Sequence, residues 1–280
     1  MSFIDLHLHS TASDGTCTPS EVVALAHEAG LSAMALTDHD TVAGMEEAME
    51  KAAELSMELI PGIEFSCHML GKEIHMLGFF VDYKDPDFLA QLELLRDNRS
   101  NRNLRILEAF QRDGFPITME KLLHGNPDTV ITRAHFARVL FEEGIIKTPS
   151  EAFEKYLNPG KKYYIPREHI SPIDAIGYIH KANGVAVLAH PYEYKFSNIQ
   201  LVQLIEELTA HGLDGIEVYH SNNYMQQSAR LRELTHQYGL AATGGSDFHG
   251  ANKPDIKVGV GRGGLKVHES LLTELKAKRK

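Results

Sequence analysis

The sequence predicts an α/β protein, either a parallel (β/α) barrel or a doubly wound sheet, interrupted by a helical insertion. Seven short apolar segments alternate with segments of helical periodicity across residues 1–85 and 168–280. Histidines and carboxylates follow several of these apolar segments, at the strand ends where reactive groups of such folds gather. Residues 86–167 contain helical patterns and breakers but no convincing strand. We therefore expect 86–167 to be a separate helical lid on the sheet domain.

The first part of the chain predicts four strands and two helices. Thr18-Pro19-Ser20-Glu21 is a capping box with proline at the first helical position, so a helix is expected to begin there and to end at Gly30. A second helix is expected from Thr41 to about Leu55. A turn at Pro61-Gly62 is expected inside the third strand. The four predicted strands are Phe3–His9, Ser32–Leu36, Met57–Phe65 and Lys72–Val81.

The remaining elements follow the same criteria. In the insertion, leucines near helical spacing predict helices over Phe88–Phe110, Met119–His124, Thr132–Glu142 and Pro149–Tyr156. A helix start at Ser171–Asp174 then resumes the alternation. The last three predicted strands are Val185–Ala189, Gly215–Tyr219 and Leu240–Thr243, and the later predicted helices are Asn198–His211, Asn222–Tyr238 and the helix end Leu272–Lys280.

Composition limits the class of protein. The 280 residues are 43% hydrophobic and 24% charged, with a net charge of −10, which disfavours a broad basic surface for long duplex nucleic acid. The two cysteines cannot make a disulfide framework and indicate a reducing, cytoplasmic setting. No apolar leader or bilayer-length apolar run is present, so no membrane partner is expected.

The first predicted strand carries two histidines one residue apart. Because residues i and i+2 of a strand point to the same side, His7 and His9 are expected to face one point. Imidazoles beside a carboxylate suit Zn, Mn or Fe, although such a pair alone fits a core or surface role equally well. Further ligand-type residues follow later strands, with His75 an exception near the start of its strand. The nine candidate ligands are His7, His9, Asp14, His39, Glu64, His75, His190, Asp247 and His249.

Nine nitrogen and oxygen ligands fit two or three divalent metal ions, since each ion takes three or four protein ligands and leaves a position for water. A carboxylate such as Glu64 would bridge them. The absence of thiolates favours Mn, Fe or Zn. Clustered divalent ions lower the pKa of bound water and clamp both oxygens of a phosphoryl transfer. The predicted chemistry is therefore hydrolysis of a phosphate ester by a bridging hydroxide.

This set resembles the PHP (polymerase and histidinol phosphatase) superfamily. The resemblance rests on the stretches Asp5–Ser10, Thr37–Asp40, Pro61–Glu64 and Gly245–His249, with Ala189-His190-Pro191 in support. It implies a distorted seven-stranded (β/α) barrel with a trinuclear site. Carried over by motif, the first metal would take His7, His9, Glu64 and Asp247, the second Glu64, His75 and His190, and the third Asp14, His39 and His249. Glu64 and Asp247 would be essential to catalysis. Many members carry histidine where Asp14 stands, so the third site would be harder in character.

Two stretches of the insertion, Thr132–Arg138 and Tyr156–Pro166, look like the small bacterial phosphoesterases of this superfamily. Members of that subgroup remove the 3′-phosphate from nucleoside 3′,5′-bisphosphates or trim short oligoribonucleotides from the 5′ end. The resemblance implies a small phosphorylated nucleotide, or a short oligonucleotide, as the partner.

The chemistry of the insertion is consistent with a lid over such a substrate. Arg133 and Lys161 or Lys162 are candidates to hold a second phosphate. Tyr163 or Tyr164 is a candidate to stack on a base, and His135 is a candidate acid for the leaving oxygen. The alternative for these residues is an exposed helix face or ordinary packing.

A few residues outside the ligand set are also assigned. His220 follows a strand and is a candidate substrate contact. Asp38 and Asp40 flank His39 and are candidates to orient imidazoles from behind. Surface or capping roles are expected for the other histidines, at 27, 68, 124, 169, 180, 211, 236 and 268.

The favoured function is hydrolysis of the 3′-phosphate of nucleoside 3′,5′-bisphosphates. A 5′–3′ exonuclease on short oligonucleotides is one alternative, because the same pocket would serve if its far end is open. A phosphatase of the histidinol-phosphate type is another, although it needs only one phosphate pocket. A non-catalytic metal-binding module is the last alternative, and a degraded ligand set would be its sign.

Overall fold

A computed structural model describes residues 2–125, 129–165 and 170–279 of the chain, without the side chains of Asn98 and Arg99. Pro166 of the second insertion motif, His169 and the predicted boundary between residues 167 and 168 lie outside the described residues.

The described strands form one seven-stranded sheet in which each strand neighbours the next one in the chain. The strands are β1 (Ile4–Leu8), β2 (Ala33–Leu36), β3 (Glu58–Met69), β4 (Lys72–Phe79), β5 (Val185–Leu188), β6 (Gly215–His220) and β7 (Ala241–Gly245). The segment after β7 returns to β1, because the Asp247 amide donates to the His7 carbonyl at 2.9 Å and the His9 amide donates to the Phe248 carbonyl at 3.0 Å. The sheet is therefore a nearly closed barrel, which confirms the predicted fold class.

One strand runs against the others. β4 is antiparallel to both β3 and β5, whereas the remaining neighbours in the sheet pair in parallel. The expectation of a wholly parallel sheet is wrong at this strand. The reversal explains the exceptional position of His75, because the start of β4 lies at the same edge as the ends of β3 and β5, which run in the opposite direction.

β3 is one continuous strand of 12 residues, so the turn expected at Pro61-Gly62 is wrong. Pro61 pairs with Leu36 of β2. A side chain at Gly62 would lie 2.9 Å from the Leu36 carbonyl oxygen, so glycine allows β2 to approach closely.

The described helices surround the sheet or form the insertion. They are α1 (Pro19–Glu28), α2 (Met45–Glu54), α3 (Pro86–Arg112), α4 (Met119–Leu123), α5 (Arg133–Glu142), α6 (Pro149–Ala152, continued by a π-turn over Phe153–Leu157), α7 (Pro172–Lys181), α8 (Asn198–Ala210), α9 (Met225–Tyr238) and α10 (Ser270–Lys276). The capping boxes predicted at Thr18/Glu21 and Ser171/Asp174 are both formed.

α2 begins at Met45, later than the expected start at Thr41. The chain after β2 stays extended because it continues to pair with β3, through an isolated bridge between His39 and Glu64. Asp40 then has a φ of +52°, which no α-helix accommodates. This extension carries His39 to the edge of the sheet.

Two separate hydrophobic cores are described. The larger one lies between the sheet and its helices, and the smaller one is made entirely of residues between Ile106 and Tyr163. α3 contributes to both, since Phe88 packs into the first core and Phe110 into the second. We propose, on this basis, that the insertion is a subdomain attached through α3. Among the described residues, no helix is long and apolar enough to cross a membrane.

Candidate metal centre

The fold brings all nine predicted ligands to one edge of the barrel. His7 lies on β1, Glu64 on β3 and His75 on β4, while the others follow strands directly or on short loops. Eight of the nine are buried and His75 is half-buried. These side chains form four overlapping groups whose nitrogen and oxygen atoms lie within 4.8 Å of one another: His9, Asp14, His39 and His249; His7, Glu64 and His190; His7, His9 and Asp247; His39, Glu64 and His75.

Glu64 is the centre of this arrangement. Its Oε2 lies 3.3 Å from His7 Nε2, 3.2 Å from His9 Nε2 and 3.2 Å from His39 Nδ1. Asp247 approaches the same pair of imidazoles from the other side, since its Oδ1 is 3.7 Å from His7 Nε2 and 3.6 Å from His9 Nε2. His7 Nε2 and His9 Nε2 are only 3.1 Å apart.

The second oxygen of Glu64 serves different histidines. Its Oε1 lies 2.9 Å from His75 Nδ1 and 2.9 Å from His190 Nε2. Because the two carboxylate oxygens face different sets of imidazoles, this side chain has the geometry of a carboxylate that bridges two metal ions.

A third set gathers around Asp14. His249 Nε2 is 3.2 Å from Asp14 Oδ1, and His39 Nε2 is 3.9 Å from Asp14 Oδ2. His9 also reaches this group, with its Nδ1 3.8 Å from Asp14 Oδ1. The groups therefore share imidazoles as well as Glu64.

The electrostatics keep the carboxylates ionised. Burial alone would raise the pKa values of the Glu64, Asp14 and Asp247 carboxyls. The positive charge of nearby imidazoles outweighs the effect of burial and holds all three pKa values well below the usual range. At Asp247, the ammonium group of Lys253 adds to this effect. For the His75 imidazole, burial lowers the pKa, but the Glu64 carboxylate outweighs burial and raises the pKa to about 10.

His7 and His9 are perturbed in opposite directions. Burial lowers the pKa of His7, but the carboxylates of Glu217 and Glu64 hold it well above the usual imidazole range. Burial together with the neighbouring His249 holds the pKa of His9 well below that range. These shifts belong to a cluster that concentrates charge in a site with little access to water.

The residues fit bound divalent cations. The donors are imidazole nitrogens and carboxylate oxygens, which suit Mn, Fe or Zn. His9 Nδ1 and His190 Nδ1 are buried atoms without a hydrogen-bond partner among the described residues. Such atoms are costly unless something coordinates or hydrogen-bonds them.

Several residues behind the ligands were missed in the sequence. Glu217 of β6 is fully buried, and its Oε1 lies 2.9 Å from His7 Nδ1 while its Oε2 accepts from the His190 amide at 2.8 Å. The available signal was a lone glutamate within an apolar strand, as at Glu64. Lys253 was also missed, and its Nζ lies 2.5 Å from Asp247 Oδ2.

The backbone is strained where two ligands leave their strands. His190 has a φ of +21° and Asp247 a φ of +59°, conformations that non-glycine residues rarely adopt. Next to Asp247, a side chain at Gly245 would lie 2.3 Å from His7 Cβ. Glycine is therefore required where β7 passes closest to β1.

Asp38 and Asp40 hold backbone segments. Asp38 accepts hydrogen bonds from the Ser10 amide at 2.8 Å and from the Ser13 hydroxyl at 2.6 Å. Asp40 accepts from the Ser66 amide at 2.9 Å. Asp38 thus fixes the loop that presents Asp14, a role different from the expected orientation of imidazoles.

The insertion contacts the loop that carries Asp14. The Thr132 hydroxyl lies 3.1 Å from Asp14 Oδ2, and the Val130 amide donates to the Ala12 carbonyl at 3.1 Å. His135 completes a capping box at the start of α5, with its Nδ1 accepting from the Thr132 amide at 3.0 Å. An Nδ1 that accepts a hydrogen bond leaves the proton of the neutral ring on Nε2.

A cavity of about 690 Å³ opens between the insertion and the barrel. Asp14, His39 and His249 are part of its lining, together with Lys253 and His135. This volume is within the range of small-ligand pockets.

The predicted substrate residues are distributed differently from expectation. Arg133 is paired with Glu73, whose other oxygen lies 3.4 Å from His75 Nε2, so the Glu73 carboxylate separates Arg133 from His75. Lys162 is paired with Asp113 at 2.8 Å and is 69% exposed. Arg133 and Lys162 therefore have different partners, and the expected cluster of these two cations is not formed.

The other candidates do not line the cavity. Lys161 is exposed and Tyr164 is half-buried, and both lie outside its lining. Tyr163 is buried in the smaller core, stacked on Phe110 with ring centroids 3.9 Å apart. His220 is buried behind Asp247, with its Nε2 3.3 Å from Asp247 Oδ2, which places it as a support for that ligand instead of a surface for substrate.

Comparison with known proteins agrees with this geometry. The PHP domain profile matches residues 5–114. The chain is 36% identical over 247 residues to a 5′-3′ exoribonuclease of Haemophilus influenzae, covering 88% of this chain and 89% of the relative. It is 34% identical to a 3′,5′-nucleoside bisphosphate phosphatase of Chromobacterium violaceum, covering 92% and 91%.

A solved structure of a Bifidobacterium adolescentis protein, proposed to be a metal-dependent phosphoesterase, superposes on this chain with a TM-score of 0.87. It is 33% identical and covers 100% of this chain and 97% of its own.

Proposed function

Because the chain belongs to the PHP domain family and is a metal-dependent phosphoesterase, we propose that it removes the 3′-phosphate of nucleoside 3′,5′-bisphosphates. The products would be the nucleoside 5′-monophosphate and phosphate. The observation that carries this proposal is the cavity that runs from the ligand groups under the insertion, since its volume suits a nucleotide better than a lone phosphate.

Cations on two sides of the ligand groups support a substrate with more than one phosphate. Lys253 lines the cavity, and its ammonium group lies against the Asp247 oxygen that faces away from His7 and His9. Arg133 lies on the side of His75, through Glu73. Arg133 can bind a phosphate through a bidentate fork, and Lys253 can act as a point charge.

The residues of the cluster have distinct roles in this proposal. His7, His9, Glu64 and Asp247 would hold one ion, Glu64, His75 and His190 a second, and Asp14, His39 and His249 a third. Bound divalent ions would supply an acidified water and would neutralise charge on the phosphate. Glu64 and Asp247 fix the spacing of the groups. His135 lines the cavity beside Asp14 and, with its proton on Nε2, would donate to the leaving oxygen.

A 5′–3′ exoribonuclease acting on short oligonucleotides is the second candidate. The Haemophilus influenzae relative, a 5′-3′ exoribonuclease, favours it. Both reactions require a nucleoside next to a phosphate ester at the metal groups. They differ in whether the ester carries a terminal phosphate or the next nucleotide.

The two remaining alternatives have less support. A histidinol-phosphate-type phosphatase would need one phosphate pocket, and two flanking cations exceed that need. A non-catalytic metal-binding module would be marked by a degraded ligand set, whereas each of the nine predicted positions holds a competent ligand.

Phosphate release with Mn²⁺ would separate these functions. The panel would contain adenosine 3′,5′-bisphosphate, AMP, histidinol phosphate and a short 5′-phosphorylated RNA. Strong turnover of the bisphosphate over AMP supports the proposed function. Release of mononucleotides from the RNA without turnover of the bisphosphate would replace it with the exoribonuclease.

A further inference from the structure

We propose that the end of the cavity farthest from the ligand groups is a nucleobase subsite, formed by Phe141 and Phe153, that holds a base by stacking and tolerates all four bases. This inference rests on the proposed function, because it presupposes a nucleotide whose phosphate lies at the metal groups. In this proposal, Phe141 and Phe153 stack on the base, the role that the sequence analysis expected of Tyr163 or Tyr164.

The direction of α5 places these residues at the right end of the cavity. The helix begins next to Asp14, because Thr132 both caps the helix and contacts the Asp14 carboxylate. Ala134 and Phe141 both line the cavity and lie seven residues apart on α5. At 1.5 Å per residue, Phe141 is about 10 Å farther along the helix axis than Ala134. A phosphate at the ligand groups would therefore leave its nucleoside pointing toward Phe141.

The chemistry of this wall suits an aromatic ring. Phe141 is 47% exposed, although aromatic side chains in the smaller core of the insertion, such as Phe110 and Phe136, are fully buried. Phe153, at the start of the π-turn, faces the same cavity from another element. Ala134 and Ala137 contribute small side chains between Phe141 and the ligand groups, which leaves room for a sugar.

Three polar residues of the lining, Arg138, His124 and Glu142, are engaged with one another. Arg138 NH1 lies 3.1 Å from His124 Nδ1 and 3.1 Å from Glu142 Oε1, and its NH2 donates to the Lys121 carbonyl at 2.8 Å. These contacts join α4 to α5. Stacking does not distinguish strongly between bases, so a subsite of this kind is expected to accept purines and pyrimidines alike.

The test compares binding of a nucleotide with binding of the same phosphate without its base. Affinities of metal-loaded protein would be measured by calorimetry for AMP, GMP, CMP, UMP and the abasic 1-deoxyribose 5-phosphate, which keeps both ribose hydroxyls. In the unmodified chain, AMP is expected to bind on the order of tenfold to a hundredfold more tightly than the abasic compound. Phe141→Ala or Phe153→Ala should reduce that ratio at least severalfold and leave abasic binding unchanged.

Two further variants make the result specific. Phe141→Leu keeps apolar volume without an aromatic face and should lose most of the preference for AMP. Leu104→Ala removes an apolar side chain of similar exposure (44%) from α3, outside the cavity lining, and should change nothing.

The proposal is overturned if AMP and the abasic compound bind equally to the unmodified chain, or if Phe141→Ala weakens both to the same extent. Discrimination of a hundredfold or more among the four bases would also overturn it, since that requires reading of base edges. These outcomes do not depend on turnover. Absence of phosphate release from every nucleotide would instead remove the proposed function.

Discussion

His75 Nδ1 lies 2.9 Å from Glu64 Oε1, although the two residues belong to neighbouring strands that run in opposite directions. His75 pairs with Ser66, two residues along β3 from Glu64, so the side chains of Glu64 and His75 are on the same face of the sheet. The reversed strand β4 thereby places a candidate ligand near its beginning, at the edge where the other strands of the sheet end. His75 joins His190 at the Oε1 atom of Glu64 because of this reversal.

Replacing Glu64 with alanine is expected to remove metal and activity while the barrel stays folded. The carboxylate contacts five imidazoles through its two oxygens, so its loss separates the groups. The loss of metal affinity should exceed the roughly 10- to 100-fold typical of a residue that only supports a ligand. Metal content by elemental analysis and folding by circular dichroism would be measured together.

Asp214→Ala is the matched control for Glu64→Ala. Asp214 is also a buried carboxylate paired with a histidine, His180, at 2.7 Å, but it lies outside the ligand groups. This variant should lose stability and keep its metal. Full metal content and turnover in Glu64→Ala would rule out Glu64 as the bridging ligand.

Metal binding is expected to release protons near neutral pH. The pKa of His75, which burial lowers but Glu64 raises to about 10, keeps this ring protonated at pH 7 in the metal-free protein. A metal ion binds only the neutral ring, so the metal must displace one proton from His75. At pH values below that pKa, the apparent metal affinity should therefore increase about tenfold for each unit by which the pH is raised. Calorimetry in buffers of different ionisation enthalpy measures the proton count.

The corresponding control for proton release is His75→Gln, which should release fewer protons than the unmodified chain. An identical proton count in the two proteins would show that His75 is already neutral before the metal binds.

Glu217→Gln is expected to weaken metal binding about 10- to 100-fold without removing a ligand. The Glu217 carboxylate lies 2.9 Å from His7 Nδ1 and accepts from the His190 amide, so it fixes the orientation of one ring and the backbone of the other ligand. The amide keeps the size but loses the charge. Competition with a chelator measures the affinity, and an unchanged value would mean that Glu217 only fills space behind His7.

Local sequence patterns predicted where most helices and strands lie. They did not predict how strands that are distant in the sequence pair with one another. The capping boxes at Thr18 and Ser171 depend on neighbouring residues, and both helices begin as expected. The direction of β4 depends on which strands it pairs with, and no local pattern encodes that. α2 starts late for the same reason, because His39 pairs with Glu64 on the next strand.

Most candidate ligands could be located in the sequence because they lie in recognisable motifs or follow strand ends, and His75 is the exception. The residues behind them were missed, since their roles depend on where side chains meet across the barrel. Glu217 and Lys253 carry no motif, yet the folded chain places them against His7 and Asp247. The separation of Lys162 from Arg133 likewise depends on the packing of the insertion, where Lys162 meets Asp113 at the end of α3.

Arg133→Ala is expected to reduce activity on nucleoside bisphosphates about 10- to 100-fold, the usual value of a hydrogen bond to a charged group, with a much smaller effect on a simple aryl phosphate. Arg133 is paired with Glu73 beside His75, where a second phosphate could take over its guanidinium. Lys162→Ala is the control, because Lys162 is 69% exposed and paired with Asp113. It should leave kcat/KM for both substrates unchanged. Equal losses on both substrates in Arg133→Ala would mean that the arginine acts by holding Glu73 and His75 in place, and the second phosphate would then have to be bound by Lys253.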